Sequence, residues 1–257
     1  MKRTHSIIAA IIILILSSTA EGASYKREFY RNLSRRMSYN RQDYSYLTDE
    51  EFANFREVRT TGTAPNRLYR SVSPIQAKNR HTIADNAARL AGVHTFINLK
   101  DSDKDMKKHT GFKNSYYSTQ KVICLNMNLK FMSKQFQQKF AQAVRFMAAN
   151  NPPYLIHCYW GKDRTGLICA VIECLMGASA DEVVNDYMIS FYNIFAVEPD
   201  TRSYDFLVDN EIKIFLASML GVKSIYGINL ADAAERYLLK IGVSVREIET
   251  LREKLGQ

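Results

Sequence analysis

The residues whose types and spacing can do chemistry lie in one run, His157-Cys158-Tyr159-Trp160-Gly161-Lys162-Asp163-Arg164-Thr165-Gly166, where five residues separate a cysteine from an arginine. A short apolar stretch, Tyr154-Leu155-Ile156-His157, precedes it and reads as a strand. A helix follows from about Thr165 through Leu167, Ile168, Ala170, Val171, Ile172, Leu175 and Met176. A tight loop at a helix N-terminus turns several backbone N–H groups toward one point, where the helix dipole also favours an anion. The run is therefore predicted to hold a phosphate group.

Each residue type has work to do under that reading. Cys158 is the nucleophile, and a helix N-terminus beside a guanidinium favours the reactive thiolate form. Arg164 offers a planar fork to two phosphate oxygens, a geometry lysine lacks. The Thr165 hydroxyl is placed to donate to the sulfur, before attack and again when the sulfur leaves. Gly161 and Gly166 permit positive φ or close backbone approach. Tyr159, Trp160, Gly161, Lys162, Asp163 and Arg164 together make the phosphate-binding loop, and His157 fixes it through hydrogen bonds.

The run resembles the signature of the cysteine-dependent protein tyrosine and dual-specificity phosphatases. Its Gly-Lys-Asp-Arg-Thr-Gly ending is similar to a bacterial atypical branch that also contains phosphoinositide phosphatases. Further segments resemble that family in the right order: Asn54-Phe55-Arg56-Glu57-Val58, Leu68-Tyr69-Arg70-Ser71, Gly92 to Leu99, and Ala234-Glu235-Arg236-Tyr237-Leu238 with Gly242-Val243-Ser244. Sulfur transfer of the rhodanese type also uses a cysteine in an anion-binding loop, but the Gly-Lys-Asp-Arg-Thr-Gly ending argues against it.

The elements that must position this loop follow from the hydrophobic pattern. Strands are expected at Val93–Leu99 and Val122–Leu125. Helices are expected at Lys78–Leu90, from Ser133 to the Asn150-Asn151-Pro152-Pro153 stop, from the Ser179/Glu182 capping box to Phe191, and at Ser203–Leu220, Ala231–Ile241 and Val245–Leu255. Alternating strands and helices imply an α/β fold with a mostly parallel central sheet, helices on both faces, and extra C-terminal helices; the resemblance makes it tyrosine/dual-specificity phosphatase-like. Ligands bind such sheets at the carboxyl ends of the strands, where the loop leaves Tyr154–His157.

Basic residues open the chain, Ile7 to Leu16 is apolar, and small residues follow, so 1–22 reads as a signal peptide and the protein as exported, secreted or periplasmic. The apolar run falls short of the about 20 residues a spanning helix needs. Residues 23–46 form a basic extension rich in arginine and tyrosine, and 47–257 is the phosphatase domain. With 46% hydrophobic and 24% charged residues the composition is that of a globular protein, which excludes wholesale disorder.

A formal net charge of +9 points to anionic partners: phosphorylated protein, lipid or inositol substrates, and an acidic membrane surface. No nucleic-acid-binding motif accompanies the charge. From Met106 to Lys162 there is no Asp or Glu, whereas eight lysines and Arg145 fall there. Of the four cysteines, Cys124, Cys169 and Cys174 read as buried reduced residues, with a disulfide or a reversible link to Cys158 left open. No metal-ligand spacing appears and no cofactor is expected.

The hypothesis is in-line attack of the Cys158 thiolate on a phosphate monoester, with a phosphocysteine intermediate that water hydrolyses. The leaving oxygen needs a proton. Related phosphatases carry an Asp in the loop after the preceding strand, and here Asn126-Met127-Asn128-Leu129-Lys130-Phe131 occupies that region. Asp163 is the favoured acid and Asp101 the alternative, with Asp103 and Asp105 behind them. Where relatives carry an Asp, this chain has Asn98, which puts a role there in doubt. Phosphotyrosine, phosphoinositides and inositol phosphates all stay open as substrates. The competing readings are a phytase-like inositol-phosphate phosphatase and a phosphate-binding pseudophosphatase with weak turnover.

Overall fold

The computed structural model describes residues 20–257, which fall into two compact units divided between Ser38 and Tyr39. The leader expected at 1–22 falls, up to residue 19, outside the described residues. In the first unit Ala20–Arg35 is a helix, so most of the basic extension is helical.

The second unit is built on five strands: β1 (Arg56–Glu57), β2 (Leu68–Ser71), β3 (Thr95–Asn98), β4 (Lys121–Cys124) and β5 (Tyr154–His157). Their order is β1-β2-β5-β3-β4, with β1 antiparallel to β2 and every other pair parallel. This is the mostly parallel sheet flanked by helices that the alternation implies. β2, β3 and β5 are buried along their whole length; β3 and β5 lie in the apolar runs expected as strands, whereas β2, Leu-Tyr-Arg-Ser, is no such run and is not among the expected strands.

Register decides where the loops meet. Ser71, His157, Asn98 and Cys124 are aligned across the sheet as the last residues of β2, β5, β3 and β4. Four parallel strands thus stop in one row, and the segments that follow converge at that edge. Hydrogen bonds lace them: Leu99 N donates to His157 O at 2.9 Å, Leu125 N to Asn98 O at 2.8 Å, and Met127 N to Leu99 O at 2.8 Å.

The Asp163–Met176 helix leaves the loop and is apolar on nearly all sides, with Thr165 through Leu175 buried. It packs against the Ala180–Phe195, Leu230–Lys240 and Val245–Gly256 helices. The helix expected over Ser203–Leu220 is broken: Arg202–Leu207 and Lys213–Leu220 are α-helical, with a π-helical turn at Val208–Ile212 between them. Its hydrophobic pattern runs through the break, so periodicity alone does not reveal it. The Ser179 capping box forms as expected, and its helix runs on to Phe195. Among the described residues no helix is long and apolar enough to cross a membrane.

Candidate active site

Cys158 leaves β5 at 2% exposure, and all four cysteines are free. The three carbonyls that follow it are each held from outside the loop. Tyr159 O accepts from Ser73 N at 3.0 Å, Trp160 O from Asn54 Nδ2 at 3.0 Å, and Gly161 O from Arg70 Nη2 at 3.0 Å. In a trans peptide the N–H points opposite to the C=O. Turning three successive carbonyls outward therefore turns the N–H groups of Trp160, Gly161 and Lys162 inward, as an anion cradle requires.

Two glycines are sterically compelled. Gly161 has φ +66°, and a Cβ there would collide with the Ser71 carbonyl. At Gly166 a Cβ would lie 2.6 Å from Cε2 of Tyr187, so the helix can start against that ring only without a side chain.

Arg164 closes the loop. Its Nη1 donates to Met127 O at 2.8 Å, which pins the guanidinium to the loop after β4. The edge that remains is Nε with Nη2, and Nε is buried without a hydrogen-bond partner. That edge is the one that pairs two parallel N–H groups with two oxygens of a tetrahedral anion. Thr165 is wholly buried; its hydroxyl, expected on the sulfur, makes no hydrogen bond. A buried donor left unpaired is unfavourable in itself, so both atoms favour an acceptor at this point.

Lys162 turns away from the cradle. Its Nζ is ion-paired with Asp163 and lies 4.5 Å from the centre of the Phe191 ring. Burial opposes its charge, but Asp163, Glu211 and Cys158 outweigh that and leave its pKa raised. Asp163, five positions after Cys158 in the chain, is thus bonded to a cation. Asp101 sits at the neighbouring strand end, 3% exposed, accepting from Lys100 Nζ at 3.0 Å, His109 Nε2 at 3.1 Å and Asn98 Nδ2 at 3.1 Å. Burial works against its ionisation, yet His109, Lys100 and Asn98 prevail and hold its pKa below the usual carboxylate range. Asp103 and Asp105 belong to the short exposed helix beyond, where Asp105 pairs with Lys108.

Beneath the cysteine, His157 Nε2 lies 3.2 Å from the Tyr117 hydroxyl, which accepts from Asn98 Nδ2 at 3.2 Å. Nδ1 faces the Cys158 carbonyl at 3.4 Å, which can only accept, so the His157 hydrogen is assigned to Nδ1 and Nε2 accepts from the Tyr117 hydroxyl. Burial pulls the His157 pKa down to about 4, helped by Arg164 and Lys100 against Cys158 O and Asp101, so the ring is neutral at physiological pH. Trp160 and Tyr159 form the aromatic flank: their rings meet edge-on at 5.0 Å, and Tyr39 lies against Trp160 at 5.6 Å.

The residues that hold the loop are the ones the sequence does not single out as a site. Arg70 is wholly buried on β2 and ion-paired with Asp186, and Arg56 Nε binds the same carboxylate at 2.8 Å. Arg56 also reaches Asn54 Oδ1 at 2.8 Å and Ser190 Oγ at 3.2 Å, closing a polar ring under Trp160 and Gly161. The available signal was a charge inside a buried run, Arg70 in Leu68–Ser71 and Asp186 in an apolar helix, since charges are buried only when paired.

Comparison with known proteins shows the family of the chain. The model of the Tyrosine phosphatase family matches residues 47–257. A tyrosine-protein phosphatase of Nostoc commune is 32% identical over 219 residues, covering 69% of this chain and 71% of that protein. The triple specificity protein phosphatase PtpB of Mycobacterium tuberculosis is 29% identical over 182 residues, 53% of this chain and 66% of that protein. A crystal structure of the core catalytic domain of the PP-IP phosphatase SIW14 from S. cerevisiae matches at 19% identity and TM-score 0.34, covering 61% of this chain and 83% of that one. The chain belongs to the tyrosine phosphatase family, as a phosphatase of the tyrosine/dual-specificity type.

Proposed function

We infer that this protein hydrolyses phosphate monoesters through a phosphocysteine on Cys158, acting on phosphotyrosine and on phosphoinositide or inositol phosphates as an exported enzyme. The observation that carries the reading is the cradle: three carbonyls turned outward around a free, buried cysteine, with Arg164 Nε buried and unpartnered beside it.

In the first step the Cys158 sulfur forms a bond to phosphorus as the bond to the ester oxygen breaks, and that oxygen takes a proton. Inward N–H groups and the Nε–Nη2 edge of Arg164 stabilise the charge on the three remaining oxygens. Water then attacks phosphorus, the sulfur leaves as thiolate, and the water gives up a proton. The Thr165 hydroxyl, which has no hydrogen-bond partner in the resting protein, is assigned to the sulfur only once it leaves as thiolate. Asp163 is the proposed proton carrier, giving the proton in the first step and regaining it in the second. Asp101 is less suited, because three donors hold its carboxylate, whereas Asp163 has one.

Hydrolysis of para-nitrophenyl phosphate by wild type and by Cys158→Ser tests the core of this reading. Turnover should vanish in the variant while phosphate still protects it from thermal unfolding; undiminished turnover refutes the mechanism. For Asp163→Asn the loss should grow as the leaving group becomes more basic, and a normal pH–rate profile on phenyl phosphate removes Asp163 as the acid. A panel of phosphotyrosine peptide, phosphoserine peptide, phosphoinositide and inositol hexakisphosphate separates the substrate classes.

A further inference from the structure

The bond from Arg164 to Met127 O ties the active site to the loop between β4 and the Lys134–Ala149 helix. Two residues past that anchor, the loop holds large apolar side chains out in water: Leu129 is 57% exposed and Met132 56%. Between them Phe131 turns inward, its ring 5.4 Å from Phe136 and 5.2 Å from Phe215. The second contact brings the Lys213–Leu220 helix against the loop, where Ile214, next to Phe215, is 49% exposed.

This is an ordered tip. Lys130 N donates to Asn128 Oδ1 at 2.8 Å, Gln135 Nε2 to Asn126 O at 2.8 Å, and Ser133 caps the helix that follows. Ile214 lines a separate groove with Val222 and Tyr226; single exposed apolar residues need no explanation, but two on the tip of one short loop, flanking an anchored aromatic beside a phosphate pocket, do. Charge surrounds them. Lys130 and Lys134 are exposed, and the chain carries no acid from Met106 to Lys162. On the facing helical segment the acids are engaged, Asp209 by Lys213 at 2.9 Å and Glu211 in the field of Lys162.

A soluble polyphosphate would use the lysines and leave the apolar pair in water. An anionic bilayer uses both, since the acyl boundary takes the apolar side chains and the headgroups take the ammonium groups. We propose that Leu129 and Met132, with Lys130 and Lys134, dock this protein on anionic phospholipid surfaces and present the Cys158 pocket to phosphate groups there. The proposal rests on the phosphatase reading for the pocket alone, because adsorption does not require turnover.

The test is co-sedimentation of the full chain with sucrose-loaded vesicles of phosphatidylserine and phosphatidylcholine. The double variant Leu129→Ser/Met132→Ser should partition roughly tenfold less while hydrolysing para-nitrophenyl phosphate at the parent's rate. Lys130→Gln and Lys134→Gln should each weaken binding about fivefold, or about 1 kcal/mol, in a salt-sensitive way. The basic residues 26–36 are present in every arm and cancel in the comparison. Met132→Trp supplies a second reading, as brominated lipids should quench its added fluorescence. Equal partitioning of parent and double variant, or an indole at that site that bromines do not reach, overturns the proposal. So does retention by polyglutamate without retention by vesicles, which would assign the surface to an acidic protein. Loss of turnover in Cys158→Ser with adsorption intact leaves docking standing and isolates the chemistry.

Discussion

The carboxylate under the loop has an understudy, and that makes a sharp prediction. Asp186 binds both Arg70 and Arg56 at a site where all three side chains are nearly or wholly buried. Removing one partner of a buried pair costs about 3–5 kcal/mol. Asp186→Asn should by that rule lower the melting temperature by about 6–20 °C, taking about 2–4 °C per kcal/mol for a domain of this size. Glu173 changes the outcome. It is wholly buried on the Asp163–Met176 helix; burial first, and then the Asp186 charge, push its pKa well above the usual carboxylate value and favour its protonated form. Once Asp186 is neutral, Glu173 can lose that proton and face the two guanidinium groups itself.

The expected result is a loss for Asp186→Asn below the full range, little loss or a gain for Glu173→Gln at pH 7, and a double variant worse than the sum by about 1–3 kcal/mol. The assay is urea unfolding of the four proteins, with kcat/KM on para-nitrophenyl phosphate alongside, since releasing Arg70 frees the Gly161 carbonyl. Wild-type stability should fall as pH rises above the unfolded pKa of Glu173, and this fall should be smaller in Asp186→Asn, because the Asp186 charge is part of what raises the folded pKa. Additive losses within about 0.5 kcal/mol refute the reasoning.

Two further outcomes are expected. Because the folded-state pKa of His157 lies at about 4 against 6.5, the unfolded chain binds the extra proton; this contribution is present above pH 6.5 and is lost as the pH falls toward 4, amounting to about 3 kcal/mol. Urea unfolding of wild type and His157→Gln between pH 7 and 4 should show the gap between them closing, and parallel curves would contradict it. Gly161→Ala combines positive φ with a collision against Ser71, so kcat/KM should drop roughly a hundredfold with a loss of about 1–2 kcal/mol; wild-type turnover and melting would mean the loop does not need its present path.

Local pattern carried the site's outline. The apolar strand, the glycines and the apolar helix specify a tight loop at a helix N-terminus wherever the rest of the chain goes, because strand period, positive φ and helix start are properties of neighbouring residues. The same locality explains the capping boxes at Ser179 and Ser244, which form with their Glu182 and Glu247 partners. The π turn at Val208–Ile212 was invisible, since it shifts a helix register without altering its composition. Asp163 and Asp101 were both named as acids, yet nothing near them in sequence states that Asp101 would gain His109 and Asn98 as partners while Asp163 kept Lys162.

By itself, then, the sequence determined the candidate reacting residues, the alternation that makes a mostly parallel sheet, and the excess of positive charge. Only the tertiary structure decided how the loop is held open: Ser73, Asn54 and Arg70 come from segments far from Cys158 in the chain, and each contributes one donor to one carbonyl. The physical reason is range. Propensity and periodicity act over a few residues, whereas orienting a peptide dipole in a buried loop takes a partner across the sheet, and which partner arrives is settled by strand order and register.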